Sequence, residues 1–177
     1  MHLIGFFSLL FTLVALIGGG VFGFFETLKS DNYRKEKKFL SLVWMERIQT
    51  ISFFLIAISS FILFWALGKR DFSFAYVHDY TDEFLPMFYA LTAFWAGQDG
   101  SFLFWSWVLS ILGAVFIYSP AYRELDQKTK VFFWGFYFLV QAFFLLMVTG
   151  PSNPFLKLEP APATGRGLNP LLQNPGM

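Results

Sequence analysis

Four stretches of this chain carry no charge: residues 4–25, 51–67, 102–119 and 131–149, each crowded with Phe, Leu, Ile, Val and Trp. A transmembrane helix needs roughly 20 predominantly apolar residues, so all four read as bilayer spans. Between the second and third lies a shorter apolar stretch, 84–96, which suits an interfacial or re-entrant helix better than a span. The pattern predicts an all-α fold: a polytopic membrane helix bundle of four transmembrane helices plus a short interfacial helix. The first stretch is too long for the core of a signal peptide, has no basic leader and lacks a small-x-small cleavage site before its charges begin, so it is expected to be retained. Residues 1–150 then form the four-helix transmembrane domain. Residues 151–177 hold six of the eight prolines and are expected to run as an extended tail.

Composition sharpens this picture. Of 177 residues, 56% are hydrophobic and 22% aromatic, including 26 Phe and 6 Trp. A soluble domain of that size has no core able to hide them, so lipid is expected to solvate much of the chain. The net charge of +1 comes with no basic block suited to a phosphate backbone, which argues against nucleic acid as a partner. There is no cysteine, which excludes disulfides, thiolate metal sites and redox dithiols.

Charge also sets an expected orientation. The first and third connecting loops carry six and three Lys and Arg residues, whereas the second loop and the tail carry two each. Basic residues beside spans are retained in the cytoplasm, so both termini are expected outside, which in a bacterium is the periplasmic side of the inner membrane. The second loop, the short helix and the tail share that face.

Small residues mark candidate packing faces. Gly19 and Gly23 are one helical turn apart in the first span, and Ser106, Ser110 and Gly113 form a stripe in the third. Gln141, the one strongly polar residue of the fourth span, is expected to bond to a neighbouring helix. The spans contain no ionisable residue in their interiors, which counts against a transporter or pump. His2 and His78 are far apart, neither has a partner at ligand spacing, and no metal site is expected. No nucleophile–base order or phosphate-cradling glycine loop is present.

One feature stands apart from hydrocarbon. The turn Gly97-Gln98-Asp99-Gly100-Ser101 sits between blocks of Trp and Phe, with Trp95 before it and Trp105 after it. Asp99 or Ser101 is placed to cap the third span, and the two glycines admit turn conformations closed to other residues. On that reading the turn is a helix cap inside an interfacial aromatic belt. A second reading also stands: free N–H groups at a helix start attract anions, and Gln98 adds donors beside flat aromatic faces, a setting for the carboxylates of a flat amphiphile.

The stretch Trp95-Ala-Gly-Gln-Asp-Gly-Ser-Phe-Leu-Phe-Trp105, preceded by Pro86-Met-Phe-Tyr-Ala-Leu-Thr-Ala, resembles the corresponding stretch of the CcmF-type cytochrome c haem lyases. The tail, with Asn153-Pro-Phe and Pro160-Ala-Pro-Ala-Thr-Gly-Arg-Gly-Leu-Asn-Pro-Leu-Leu-Gln-Asn-Pro-Gly176, is similar to that family's linker after its fourth span. The resemblance implies the amino-terminal part of a split or truncated haem lyase. It implies a complex that takes b-type haem from a periplasmic haem chaperone and joins it to apocytochrome c. The tryptophan-rich segment and haem-ligating histidines of the family have no counterpart here, so they are expected on a companion chain, with no haem bound by this chain alone. On this reading Trp95, Gly97, Gln98, Asp99, Gly100, Ser101 and Trp105 form the haem- or partner-facing turn. Asn169, Pro170, Gln173, Pro175 and Gly176 mark the tail. The alternative is a non-catalytic membrane assembly factor that recruits cytochrome c biogenesis partners through its proline tail.

Overall fold

The computed structural model describes residues 1–29 and 40–167. Four long helices dominate it: α1 His2–Lys29, α2 Leu40–Lys69, α5 Gln98–Tyr118 and α7 Gln127–Thr149. All four are long and apolar enough to cross a membrane. Three short helices, α3 Ala75–Tyr80, α4 Met87–Thr92 and α6 Pro120–Glu124, sit in the connections, and a 3₁₀ turn, Ala93–Trp95, links α4 towards α5. The short helix expected over 84–96 is thus a six-residue α-helix running into that turn. Helices α2, α5 and α7 begin before their uncharged stretches, because residues such as Glu46, Asp99 and Lys130 occupy terminal turns, where polar side chains reach the bilayer surface.

The long helices pack as a ring in the order α1, α2, α5, α7, with α2 and α7 also touching across it. At one end the space beside Gly23 is filled by Met45 and Val131. At the other, the Ser59 hydroxyl donates to the Gly5 carbonyl at 2.9 Å, and Phe155 fills the space beside Gly5. Neighbouring helices therefore run antiparallel. The second end, called the cap here, gathers the amino terminus, the connection from α2 to α5 and the chain after α7. His2 fastens it: Nδ1 lies 3.2 Å from the Phe155 carbonyl oxygen, Nε2 3.0 Å from Ser73 Oγ, and the ring stacks on Phe74 at 3.6 Å.

The bundle is polar inside and apolar outside relative to a soluble protein. Thr12, Gln49, Ser52, Ser59, Ser60, Ser106, Ser110 and Gln141 are buried, whereas Phe11, Phe54, Phe61, Phe136 and Leu139 face outward. In lipid an apolar interior gives helices no reason to associate, so close packing and hydrogen bonds between helices carry the assembly. Thr12, Ser106 and Ser110 each donate to a carbonyl of their own helix, and Ser59 shares its one proton between the Gly5 and Leu55 carbonyls. Two bonds cross between helices at one level of α5: Gln49 Nε2 donates to the Ser110 carbonyl at 3.1 Å, and the Tyr137 hydroxyl donates to the Leu109 carbonyl at 2.5 Å. Gln141 differs from expectation. It is wholly buried, yet neither amide atom makes a hydrogen bond among the described residues.

At the end opposite the cap, Trp134 Nε1 donates to the Tyr122 hydroxyl at 2.8 Å, which donates to Glu46 at 2.8 Å, linking α7, α6 and α2. Ser119 caps α6 by accepting from the Tyr122 N–H, and Asp126 caps α7 by accepting from the Thr129 N–H.

The small-residue faces are consumed inside the chain. A Cβ at Gly19 would press on Ile48, one at Gly23 on Met45, and one at Gly113 would come within 2.5 Å of Gln49 Nε2 and 2.9 Å of a Tyr137 ring carbon. Ser106 and Ser110 are buried beside them on α5. By contrast, a Cβ at Gly135 meets no atom within 4 Å. Gly113→Ala is therefore expected to destabilise the bundle by about 1–3 kcal/mol through overpacking. Gly135→Ala should be neutral or stabilising by up to about 1 kcal/mol through helix propensity. Thermal unfolding of the two variants in the same detergent measures the difference.

Candidate functional site

The chain that enters α5 leaves a helix, passes through a 3₁₀ turn and starts another helix within a few residues, so its backbone groups need partners from elsewhere. α3 supplies one. The Tyr76 hydroxyl, on a side chain that is almost wholly buried, donates to the Ala93 carbonyl at 2.8 Å and accepts from the Gly97 N–H at 3.1 Å. One side chain thereby satisfies the end of the 3₁₀ turn and the start of α5. Burial pushes its hydroxyl well above the ordinary tyrosine range, so it stays a neutral donor and acceptor. Tyr80, one turn along α3, lies 4.7 Å from Tyr76 between ring centres, and burial, then Asp99 and Asp79, also raise its pKa.

The two glycines of the turn serve close approach. Gly97 has φ −109°, in the extended region, and Gly100 lies within the helix, so neither depends on a left-handed conformation. A Cβ on Gly97 would penetrate the Tyr80 ring, and one on Gly100 would collide with the Phe94 carbonyl and the Tyr76 hydroxyl. Phe94, between them and the bundle, is wholly buried and stacks on Phe64 at 4.0 Å. The turn is thus drawn down onto α3 and plugged into the bundle by an aromatic ring.

The residue that caps α5 differs from the sequence expectation. The N-cap is Gly97, with no side-chain cap bond, while Asp99 and Ser101 lie inside the first turns of the helix. Asp99 places a carboxylate in the first turn, where the helix dipole favours it. Ser101 Oγ donates back to the Trp95 carbonyl at 2.8 Å, and Gln98 Nε2 donates to Ser152 Oγ at 3.3 Å. The Ser101 hydroxyl is therefore spent on the chain itself, whereas Gln98 is exposed and commits one of its two amide N–H groups. Trp95 and Trp105 are each about half exposed, the first 6.2 Å from Phe104, which lies 5.7 Å from the second.

The segment after α7 folds back over α3. Phe74 and Lys157 form an isolated antiparallel bridge, with the Ala75 N–H donating to the Leu156 carbonyl and the Leu158 N–H to the Ser73 carbonyl, both at 2.8 Å. Further on, the Arg166 N–H donates to the His78 carbonyl and the Gly167 N–H to the Thr81 carbonyl. Gly165 passes so close to Thr81 that a Cβ would strike its carbonyl, and Gly167 has φ +93°, the left-handed region that favours glycine. Asn169, Pro170, Gln173, Pro175 and Gly176 lie outside the described residues, as do Arg34, Lys35, Lys37 and Lys38 of the first loop.

Haem iron would need a free axial ligand, and of the two histidines only His78 keeps a ring nitrogen, Nε2, without a hydrogen bond among the described residues. Both ring nitrogens of His2 are engaged, and His78 pairs with Asp79 at 3.0 Å, which also meets Arg166 at 3.3 Å. Among the described residues no group of His, Cys, Asp or Glu is arranged to hold a metal ion. What sequence reading missed is Tyr76: nothing local distinguishes it from the chain's other tyrosines, and its partners are 17 and 21 residues away.

Comparison with known proteins adds a lineage. No protein-family profile matches the chain. It is 36% identical over 126 residues to a cytochrome c-type biogenesis protein of Rhodobacter capsulatus, covering 71% of this chain and 19% of that protein. It is 31% identical over 144 residues to the cytochrome c-type biogenesis protein CcmF of Haemophilus influenzae, covering 80% of this chain and 22% of that one. A solved structure of a cytochrome c heme lyase CcmF superposes with a TM-score of 0.74 at 23% identity, over 89% of this chain and 25% of that one. The likeness to that structure shows a shared fold. The chain spans about a fifth of the length of these curated relatives.

Tyr76→Phe removes one hydroxyl and strands the buried Gly97 N–H, leaving the Ala93 carbonyl with the Ala96 N–H alone. It should destabilise the cap by about 1–3 kcal/mol. Hydrogen exchange in detergent micelles should show faster exchange across residues 93–101 than in the parent chain, with α7 unchanged.

Proposed function

Because this chain belongs to the CcmF-type cytochrome c biogenesis family, we propose that it is a membrane subunit of a cytochrome c haem lyase complex. In that role it assists attachment of b-type haem to apocytochrome c. The haem ligands and the tryptophan-rich segment belong to a companion chain, and a periplasmic haem chaperone supplies the substrate. The complex sits in the bacterial inner membrane with the cap towards the periplasm, a reading supported by the basic residues gathered in the first and third loops.

One observation carries the proposal to the cap. The stretch that bears the family likeness is held by Tyr76, Gly97 and Gly100 in a single buried arrangement, with Trp95 and Trp105 half exposed beside it. Its Ser101 hydroxyl is used internally, so what it offers haem or a companion is shape, two indole faces and the second amide N–H of the exposed Gln98. The turn positions a surface, and the companion performs the chemistry.

The test has two arms. Purification of the tagged chain from its own membranes should recover a companion that bears the tryptophan-rich segment, together with haem absorption. Recovery of the chain alone, free of haem, would count against the complex. In a strain dependent on this chain, Trp95→Ala combined with Trp105→Ala should lower the yield of c-type cytochromes several-fold at unchanged chain abundance. An unchanged yield would remove the role assigned to the indole faces.

A further inference from the structure

The cap exposes a row of large apolar side chains that none of the described residues covers. Phe84 is 89% exposed and Phe88 71%, and Met87 and Leu91 are exposed beside them. Phe88 and Leu91 lie three residues apart on one side of α4, with Phe84 in the turn before the helix, while Ala90, Ala93 and Phe94 on the other side are wholly buried. The row is held in place at its start. Asp82 Oδ1 accepts from the N–H groups of Phe84 and Leu85 at 2.8 and 2.7 Å, and the Arg70 guanidinium donates to the Leu85 carbonyl. A backbone fixed this firmly does not let the side chains retreat from water. Covering apolar surface removes it from water, so the row represents a substantial unspent driving force.

Its surroundings indicate what covers it. Towards the bundle the row leads to Trp95 and, through Phe104, to Trp105 on the outer face of α5, so it continues the apolar exterior of a candidate span. Two ion pairs of the cap lie over α3 and the folded-back segment, Arg166 with Asp79 and Lys157 with Glu159, while Arg70, Asp82 and Glu83 sit at the start of the row. The cap thus has an ionic side and an aromatic side that runs into the membrane-facing belt. Aromatic and aliphatic side chains without charge, next to a span end, fit the headgroup–acyl boundary of a bilayer.

We propose that α4 and the preceding Phe84 turn lie in the lipid leaflet on the cap side, with Phe84, Met87, Phe88 and Leu91 inserted below the headgroups and Glu83 left in water. The row is then an in-plane anchor that fixes the height of the cap on the membrane.

The absence of cysteine makes the test direct. Single substitutions Phe88→Cys, Leu91→Cys, Glu83→Cys and Glu159→Cys in the full chain, kept with any co-purifying companion, are spin-labelled in phosphatidylcholine–phosphatidylglycerol nanodiscs. Collision rates with oxygen and with a water-soluble nickel chelate are then compared. The ratio of oxygen to nickel accessibility should be several-fold higher at 88 and 91 than at 83 and 159. Equal ratios at all four positions would place the row in water, and exclusion of both reagents from 88 and 91 would mean that protein covers it. Either result overturns the proposal. Two labelled positions on the row guard against one variant failing to fold, and the outcome does not depend on whether the complex carries haem.

Discussion

A chain that leaves regular structure at the end of a membrane bundle must still give every buried peptide group a partner. Here that constraint falls on the link from α4 to α5, and the Tyr76 hydroxyl meets it twice, as donor to Ala93 and acceptor from Gly97. Much of the cap follows. Tyr76 has to lie under the turn, so α3 must cross beneath it; Gly97 and Gly100 must lack side chains, because Tyr80, Tyr76 and the Phe94 carbonyl occupy their space. Phe94 can then enter the bundle, and α4 is left with its other side outward.

The interior of the bundle shows the same economy of partners. Thr12, Ser106 and Ser110 bond back to their own helices, which lets helices approach closely, although Ser60 and Gln141 keep buried polar atoms without a partner among the described residues. Gln49 and Tyr137 reach α5 from either side within one turn, at the carbonyls of Ser110 and Leu109. Gly113 is small because both side chains crowd it. The glycines and serines on this face hold the bundle to itself. They are therefore unavailable to a companion, which would have to meet the outward surfaces, where Gly18 and Gly135 have open space beside them.

The spans were legible in the sequence because lipid demands long uncharged runs, and no tertiary contact is needed to see that. The turn was legible as an anomaly, since glycine and polar residues amid hydrocarbon always require a reason. Its reason was not legible. Conformational freedom and a side-chain cap are what local chemistry suggests for Gly97, Asp99 and Ser101, whereas the glycines are there for close approach and the cap is Gly97 itself. The partners that decide this, Tyr76, Tyr80 and Ser152, come from other elements. The junction of His2 with Phe155 lies further still from local view, across 153 residues.

That junction bears on how the cap works as a unit. His2 contacts Ser73 and Phe155, Phe155 packs beside Gly5, and Ser152 receives Gln98 at the start of α5. The amino terminus, the α2–α5 connection and the chain after α7 are thus each bonded to at least one of the others, and a shift in one must be accommodated by all. Such a surface keeps a defined shape without a disulfide or a metal. The cap can thereby hold its aromatic faces in a fixed position relative to the bundle. A substitution at Gly100 would therefore act through geometry, displacing Phe94 and the indoles together, and not through the loss of a reacting group.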